Sequence, residues 1–224
     1  MEAPGPLRAV RSWDAALPDR EADRALEEAM LLTVGEKGYA KATVREVCER
    51  AGASQDRFHR RFGSKGACFA RAYEAATDRL AAELVEAVAG SEEWRERFRA
   101  GLAALLRTVA EQPLLARALL LEVRAARGEA WAHHQHLVER LIAAIETARE
   151  APGGRRTATP MTAGFVAGAI EESIGIEIAA GRAAEVERLL GDLTRLAFLQ
   201  LFGEPSPSAS RSSPLRRSRG RGSG

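Results

Sequence analysis

Six polar side chains crowd the stretch from residue 55 to residue 62: Gln55, Asp56, Arg57, His59, Arg60 and Arg61. Gln and Arg make paired hydrogen bonds to base edges in the major groove of DNA, and Arg also neutralises phosphate. Thr43, Arg45 and Ser54 stand just upstream and Lys65 just downstream. Thr43 with the amides that follow it suits one phosphate, and Lys65 with the amides after Ser64 suits another. Chemistry of this kind requires two short helices held at a fixed angle.

The spacing supplies them. Thr43 reads as an N-cap, and Glu46 completes a capping box for a helix to about Ala51. Gly52 provides the turn, Ser54 caps a second helix ending near Phe62, and Gly63 closes it. Ser64 caps a longer helix to about Ala89. Val44, Val47, Cys48 and Ala51 form one apolar face, while Phe58 and Phe62 form another. Both can pack on a preceding helix that starts at Pro18 and places Ala22, Leu26, Ala29 and Met30 at three-to-four spacing. This is a helix-turn-helix pattern. Charge agrees with it: residues 37–65 hold eight Lys/Arg against three Asp/Glu, whereas residues 72–203 hold fifteen against nineteen. Of these two segments only the early one attracts phosphate. In the tail, Arg211, Arg216, Arg217, Arg219 and Arg221 could add non-specific attraction, against a plain reading as a solvated extension.

The residues Gly38-Tyr39, Thr43-Val44, Ala51-Gly52-Ala53-Ser54, Phe58, Phe62 and Ser64-Lys65 resemble the N-terminal domain of the TetR family of transcriptional regulators over roughly residues 20–70. The resemblance implies recognition-helix roles for Gln55, Asp56, Arg57 and His59, and phosphate contacts at Thr43 and Lys65. It also implies a homodimeric repressor whose C-terminal helices hold a small-molecule site and the dimer contact. The chain departs from the usual pattern at Asp56 and Arg57, where members carry small residues and Thr or Ser. It departs again at His59, often Tyr, and at Gly66, often acidic. Asp56 would repel phosphate unless it accepts from a cytosine amino group or pairs with Arg60 one turn on.

Downstream, helical patterns run from Ser91 to about Glu111, Pro113 to about Ala125, Glu129 to Arg149, Thr159 to Ala180 and Ala183 to Phe202. The loop Ala151-Pro152-Gly153-Gly154 is the clearest break. No segment alternates as a strand would. The expected fold is all-α with about nine helices: an arm at 1–17, a DNA-binding domain at 18–63, an effector-binding and dimerisation domain at 64–203, and a disordered Ser/Pro/Arg tail at 204–224. The last two helices are apolar over much of their circumference and need a second partner surface. Ile170, Ile174, Val186, Leu189, Leu193 and Leu196 are the expected dimer contacts. The bulky Trp94, Phe98, Leu102, Trp131 and Phe165 are the expected pocket lining, against a plain reading as core.

Other chemistry is weaker. His133 and His136 share a helix face but lack Cys partners, so no metal is expected. Cys48 reads as a core residue. Cys68 could sense oxidants only with a lowered pKa. No catalytic constellation or phosphate-cradling loop stands out, and no cofactor is expected. A charged leader followed by an apolar run is missing, as is a span of about 18 apolar residues, which implies a soluble, cytoplasmic protein without a membrane partner. The expected partners are an operator duplex, a second copy and a small-molecule effector. Two alternatives stand beside this: a regulator of the same fold without a small ligand, and a helical binding protein or enzyme with a vestigial helix-turn-helix. Salt-dependent DNA binding separates the last from the rest.

Overall fold

Local capping sets the first elements of the computed structural model, which describes residues 19–153 and 159–203. Helix α1 (Asp19–Lys37) begins with Asp19 and Glu21 and ends at Lys37, charges that complement its dipole. Thr43 and Glu46 form the expected reciprocal capping box of α2 (Val44–Ala51). Gly52 then turns the chain in the left-handed region, φ 65°, where a side chain would be strained. Ser54 Oγ accepts from the Arg57 amide at 3.1 Å to start α3 (Gln55–Phe62). Ser64 does the same for Ala67 at the head of α4 (Lys65–Val88).

The body continues with α5 (Trp94–Glu111) and α6 (Pro113–Arg117), the latter opened by a first-turn proline. A π-helical turn, Ala118–Glu122, joins α6 to α7 (Val123–Ala126) without a break in the helical path. Then come α8 (Gly128–Glu146) and α9 (Pro160–Ala179). A 3-10 segment, Ala183–Leu189, leads into α10 (Leu190–Phe202). The sequence pattern predicts one helix from 183. The structure holds the first seven residues in the tighter form and starts the α-helix at Leu190. If 113–126 counts as one interrupted helix, nine helices are described. The expected arm and tail lie outside the described residues, as does part of the loop after Ala151.

Two cores organise the chain. The first gathers Leu26, Met30 and Val34 of α1, Val47 and Cys48 of α2, Phe58 and Phe62 of α3, and Phe69 and Tyr73 of α4. It runs on into Ala118, Leu119 and Val123, so the helix-turn-helix shares its core with the body. The second joins Leu102, Leu106, Val166, Ile170, Ile174, Val186, Leu193 and Leu201 from α5, α9, the 3-10 segment and α10. Between α1 and α6 the backbones nearly touch at Gly35, where a Cβ would stand 2.0 Å from the Leu114 carbonyl oxygen.

Candidate nucleic-acid interface and the adjoining cavity

Phe58, fully buried, and Phe62 anchor α3 with ring centroids 5.4 Å apart. That fixes which side chains of the helix can face outward. Gln55, Asp56, His59 and Arg60 are exposed on the opposite side. Asp56 pairs with Arg60 one turn on, the second of the two ways its charge could be balanced. His59 Nδ1 lies 3.4 Å from the Gly63 carbonyl oxygen.

Arg57 goes elsewhere. Its guanidinium folds back to α1, donating to Asp19 Oδ1 at 3.0 Å and the Asp19 carbonyl at 3.2 Å, and only 13% of its side chain is exposed. Arg61 likewise pairs with Asp23 of α1. Both are expected at the DNA; acids thirty-eight positions upstream cover Arg57, while Arg61 pairs with its acid and stays 38% exposed. The same helix supplies Glu36 to Arg50 and Glu27 to Arg71. The free positive charge of the head is therefore smaller than a count over residues 37–65 gives. Facing outward are Gln55, His59 and the Asp56–Arg60 pair of α3, and Arg45 of α2, which pairs with Glu49 at 3.3 Å. Exposed pairs one helical turn apart contribute only about 0.3–0.5 kcal/mol each, so phosphate can replace the carboxylate.

Thr43 and Lys65 also have duties inside the protein. The Thr43 hydroxyl and amide both donate to Glu46 Oε2, at 2.9 and 3.1 Å. Lys65 Nζ donates to the carbonyls of Tyr39 (2.8 Å) and Ala42 (3.1 Å) and lies 4.3 Å from the centre of the Tyr39 ring. One ammonium proton is left for a phosphate. Glu46 also receives Lys37 at 2.6 Å. That hydrogen bond, then those from Thr43, bring its carboxyl down to about 2 from 4.5. Because the folded value is the lower one, this contribution is complete above about pH 4.5 and disappears as pH falls through about 2. Glu46→Gln should flatten the stability loss between those pH values, as followed by urea titrations in acid.

Behind the head lies a cavity of about 230 Å³ between α4, α5, α6, the π turn, α8 and α9. Its walls are mostly Leu, Ile, Val and Ala, including Leu80, Leu84, Leu105, Leu119, Leu137 and Ile170. One polar chain interrupts them. Tyr73 Oη is 2.9 Å from His134 Nδ1, His134 Nε2 is 3.3 Å from Glu171 Oε1, and Arg124 donates to that same oxygen at 2.8 Å. Hydrogen bonding from His134, with a further one from Arg124, outweighs burial and lowers the Glu171 carboxyl to about 2. The π turn on the cavity wall also reaches the head: Glu122 Oε2 accepts the Tyr39 amide at 2.8 Å, across 83 positions of sequence.

Residues 32–72 match the family model of bacterial regulatory proteins, tetR family. Residues 32–72 are a DNA-binding domain of the tetR type. Members of that family are transcription factors, not enzymes. Solved structures of similar shape extend the likeness to the remaining helices. The fatty acid degradation regulator FadR from Bacillus halodurans superposes with TM-score 0.70 at 14% identity, covering 77% of this chain and 96% of that one. FadR from Bacillus subtilis, in complex with stearoyl-CoA, gives 0.70 at 13%, covering 81% and 98%. A TetR-like regulator from Rhodococcus sp. RHA1 gives 0.64 at 20%, covering 82% and 97%. At these identities the shared property is the fold. No curated protein matches the chain.

Against the TetR-type body, the expected pocket and dimer residues fall differently. None of Trp94, Phe98, Leu102, Trp131 and Phe165 lines the cavity. Trp94 stacks on Phe98 at 5.1 Å and meets Phe198 and Phe202, and Leu102 belongs to the same core. Trp131 stacks on His134 at 5.0 Å. Bulky rings fill space, so they mark packed regions, and the void opens where Leu and Ala leave it. Phe165 is 56% exposed. Conversely Ile170, Ile174, Val186 and Leu193 are buried within this chain, and Ile170 and Ile174 line the cavity. Leu189 and Leu196 are half-buried. The apolar side chains left outward on α9 and α10 are Met161, Phe165, Ile176 and Leu199.

His134 turns inward to Glu171, apart from His133 and His136. Among the described residues no group of His, Cys, Asp and Glu is placed to hold a metal ion. Cys68 is buried, and desolvation raises its thiol well above the ordinary value, which keeps it unreactive. No helix among the described residues is long and apolar enough to cross a membrane.

Proposed function

We propose that the chain is a homodimeric repressor released from a palindromic operator by a small molecule held in the cavity. One observation carries this reading: the turn 118–122 both lines the cavity, through Leu119 and Leu120, and grips the head, through Glu122. A ligand that reshapes the wall then changes how Tyr39 and Lys65 seat the start of α4. Its effect on DNA equals its difference in affinity for the two seatings. The stearoyl-CoA bound by FadR from Bacillus subtilis supports a cavity of this fold serving ligands. Met161, Phe165 and Ile176 lie on one face of α9, at intervals of four and eleven, and suit a twofold mate better than water does. Two heads so related meet half-sites about 34 Å apart.

Selection of bound duplexes from a random pool tests this, followed by titration at several salt concentrations. The expected product is a palindrome bound by at least two copies in light scattering, with log affinity falling linearly in log salt. Gln55→Ala is expected to cost about 1–3 kcal/mol and relax preference at one position of each half-site. Arg57→Ala, by contrast, should lower stability by on the order of 1 kcal/mol and leave base preference intact, because Arg57 is held by Asp19. A pool that yields no consensus would sink the reading, and so would one copy bound per duplex.

A further inference from the structure

Three hydroxyls line the cavity, and each directs its proton into the protein. Thr77 Oγ1 donates to the carbonyls of Tyr73 and Glu74, both at 3.0 Å, and Thr108 Oγ1 donates to the Ala104 carbonyl at 3.1 Å. The third follows from the polar chain. An ionised Glu171 only accepts, so His134 Nε2 carries a hydrogen toward it. In the neutral ring Nδ1 is then the acceptor, and the Tyr73 hydroxyl, 2.9 Å away, donates to it. Arg124 and His134 both engage Oε1 of Glu171, which keeps Oε2 as a further acceptor. With His134 neutral, the inner polar part of the wall therefore offers lone pairs, Tyr73 Oη, Thr77 Oγ1 and Glu171 Oε2, while Gln112, exposed at the rim, carries a donor beside its acceptor. At the rim the exposed Arg79 and Glu83 oppose each other in sign. Leu, Ile, Val and Ala make up most of the remaining surface.

We propose that this cavity takes an apolar molecule carrying a hydrogen-bond donor, an alcohol or an amine, in preference to the matching carboxylate. The assignment rests on the cavity being the effector site. A donor meets Tyr73, Thr77 and Glu171 with the complementary polarity. A carboxylate would set lone pairs against lone pairs and bring a second negative charge beside Glu171 in an apolar surround, where an unpaired charge is costly.

Calorimetric titration of the full chain at pH 7 with octan-1-ol, octylamine and octanoate separates the outcomes, since the three share one tail. The alcohol and the amine are expected to bind at least about tenfold more tightly than octanoate, which corresponds to about 1.4 kcal/mol. Glu171→Gln, checked for folding by its melting transition, should cut the preference of amine over octanoate several-fold. If that variant does not fold, the comparison in the unaltered chain decides. Octanoate binding as tightly as the donors overturns the ligand class and leaves the effector cavity standing. Binding by none of the three overturns the effector cavity, and the ligand class with it.

Discussion

Gly35→Ala is expected to destabilise the chain by roughly 3 kcal/mol or more and to abolish DNA binding at temperatures where the unaltered chain binds. Two effects oppose each other. Alanine outranks glycine inside a helix by about 1 kcal/mol, and Gly35 is near the end of α1. Against this, the new Cβ would stand 2.0 Å from the Leu114 carbonyl oxygen and 2.7 Å from its carbon. Both are backbone atoms, so no rotamer change relieves the clash. Helix α6 would have to retreat by more than an ångström from α1, parting the seam where Ala118 and Leu119 join the first core. Overpacking that only a backbone shift can relieve belongs at or beyond the upper end of the usual 1–3 kcal/mol. Urea titration of the variant measures it. A variant as stable as the parent would show that the α1–α6 seam is looser than these distances.

Glu122→Ala is expected to cost about 1.5–3 kcal/mol, the range for a hydrogen bond to a charged group. Its side chain is 15% exposed and accepts from the Tyr39 amide, while Arg117 lies 3.5 Å away. Removing the carboxylate leaves that amide without its acceptor. Gly38, at φ 84°, brings the loop close enough that a Cβ would meet Glu122 at 3.3 Å, so the two elements are fitted to each other. Hydrogen exchange at Tyr39 should accelerate strongly, and ligand-free operator affinity should fall beyond what the melting temperature accounts for. Glu122→Gln retains an acceptor oxygen and is expected to recover most of the exchange protection. If Glu122→Ala leaves Tyr39 as protected as before, the link between cavity and head lies elsewhere.

The helix-turn-helix was legible in sequence because its determinants are local. Thr43 and Glu46, Gly52, Ser54 and Ser64 each act within four residues, where spacing is structure. The fate of Arg57 was not legible, since Asp19 reaches it only through the packing of α3 on α1. For the same reason a charge count overstated the basic face. The cavity failed differently. Large aromatic residues were natural candidates for a lining, yet Trp94, Phe98, Phe198 and Phe202 satisfy one another and close up the space. Amphipathic spacing shows that Ile170 and Ile174 are buried, and it does not distinguish burial in one's own core from burial against a mate. The π turn and the reach of Glu122 have no sequence signature short of the fold itself.

The turn 118–122 has a consequence for modularity. A chimera cut at Gly63–Ser64, the natural seam in the sequence, would transplant Tyr39 without Glu122 and place Ala42 and Phe58 on a foreign core. A working exchange of reading heads has to carry residues 113–126 with them. Changes made at Leu119 or Leu120 to retune ligand preference would, by the same connection, retune affinity for DNA. On the proposed function, ligand preference and operator preference are thus coupled traits. Selection acting on either one moves the other.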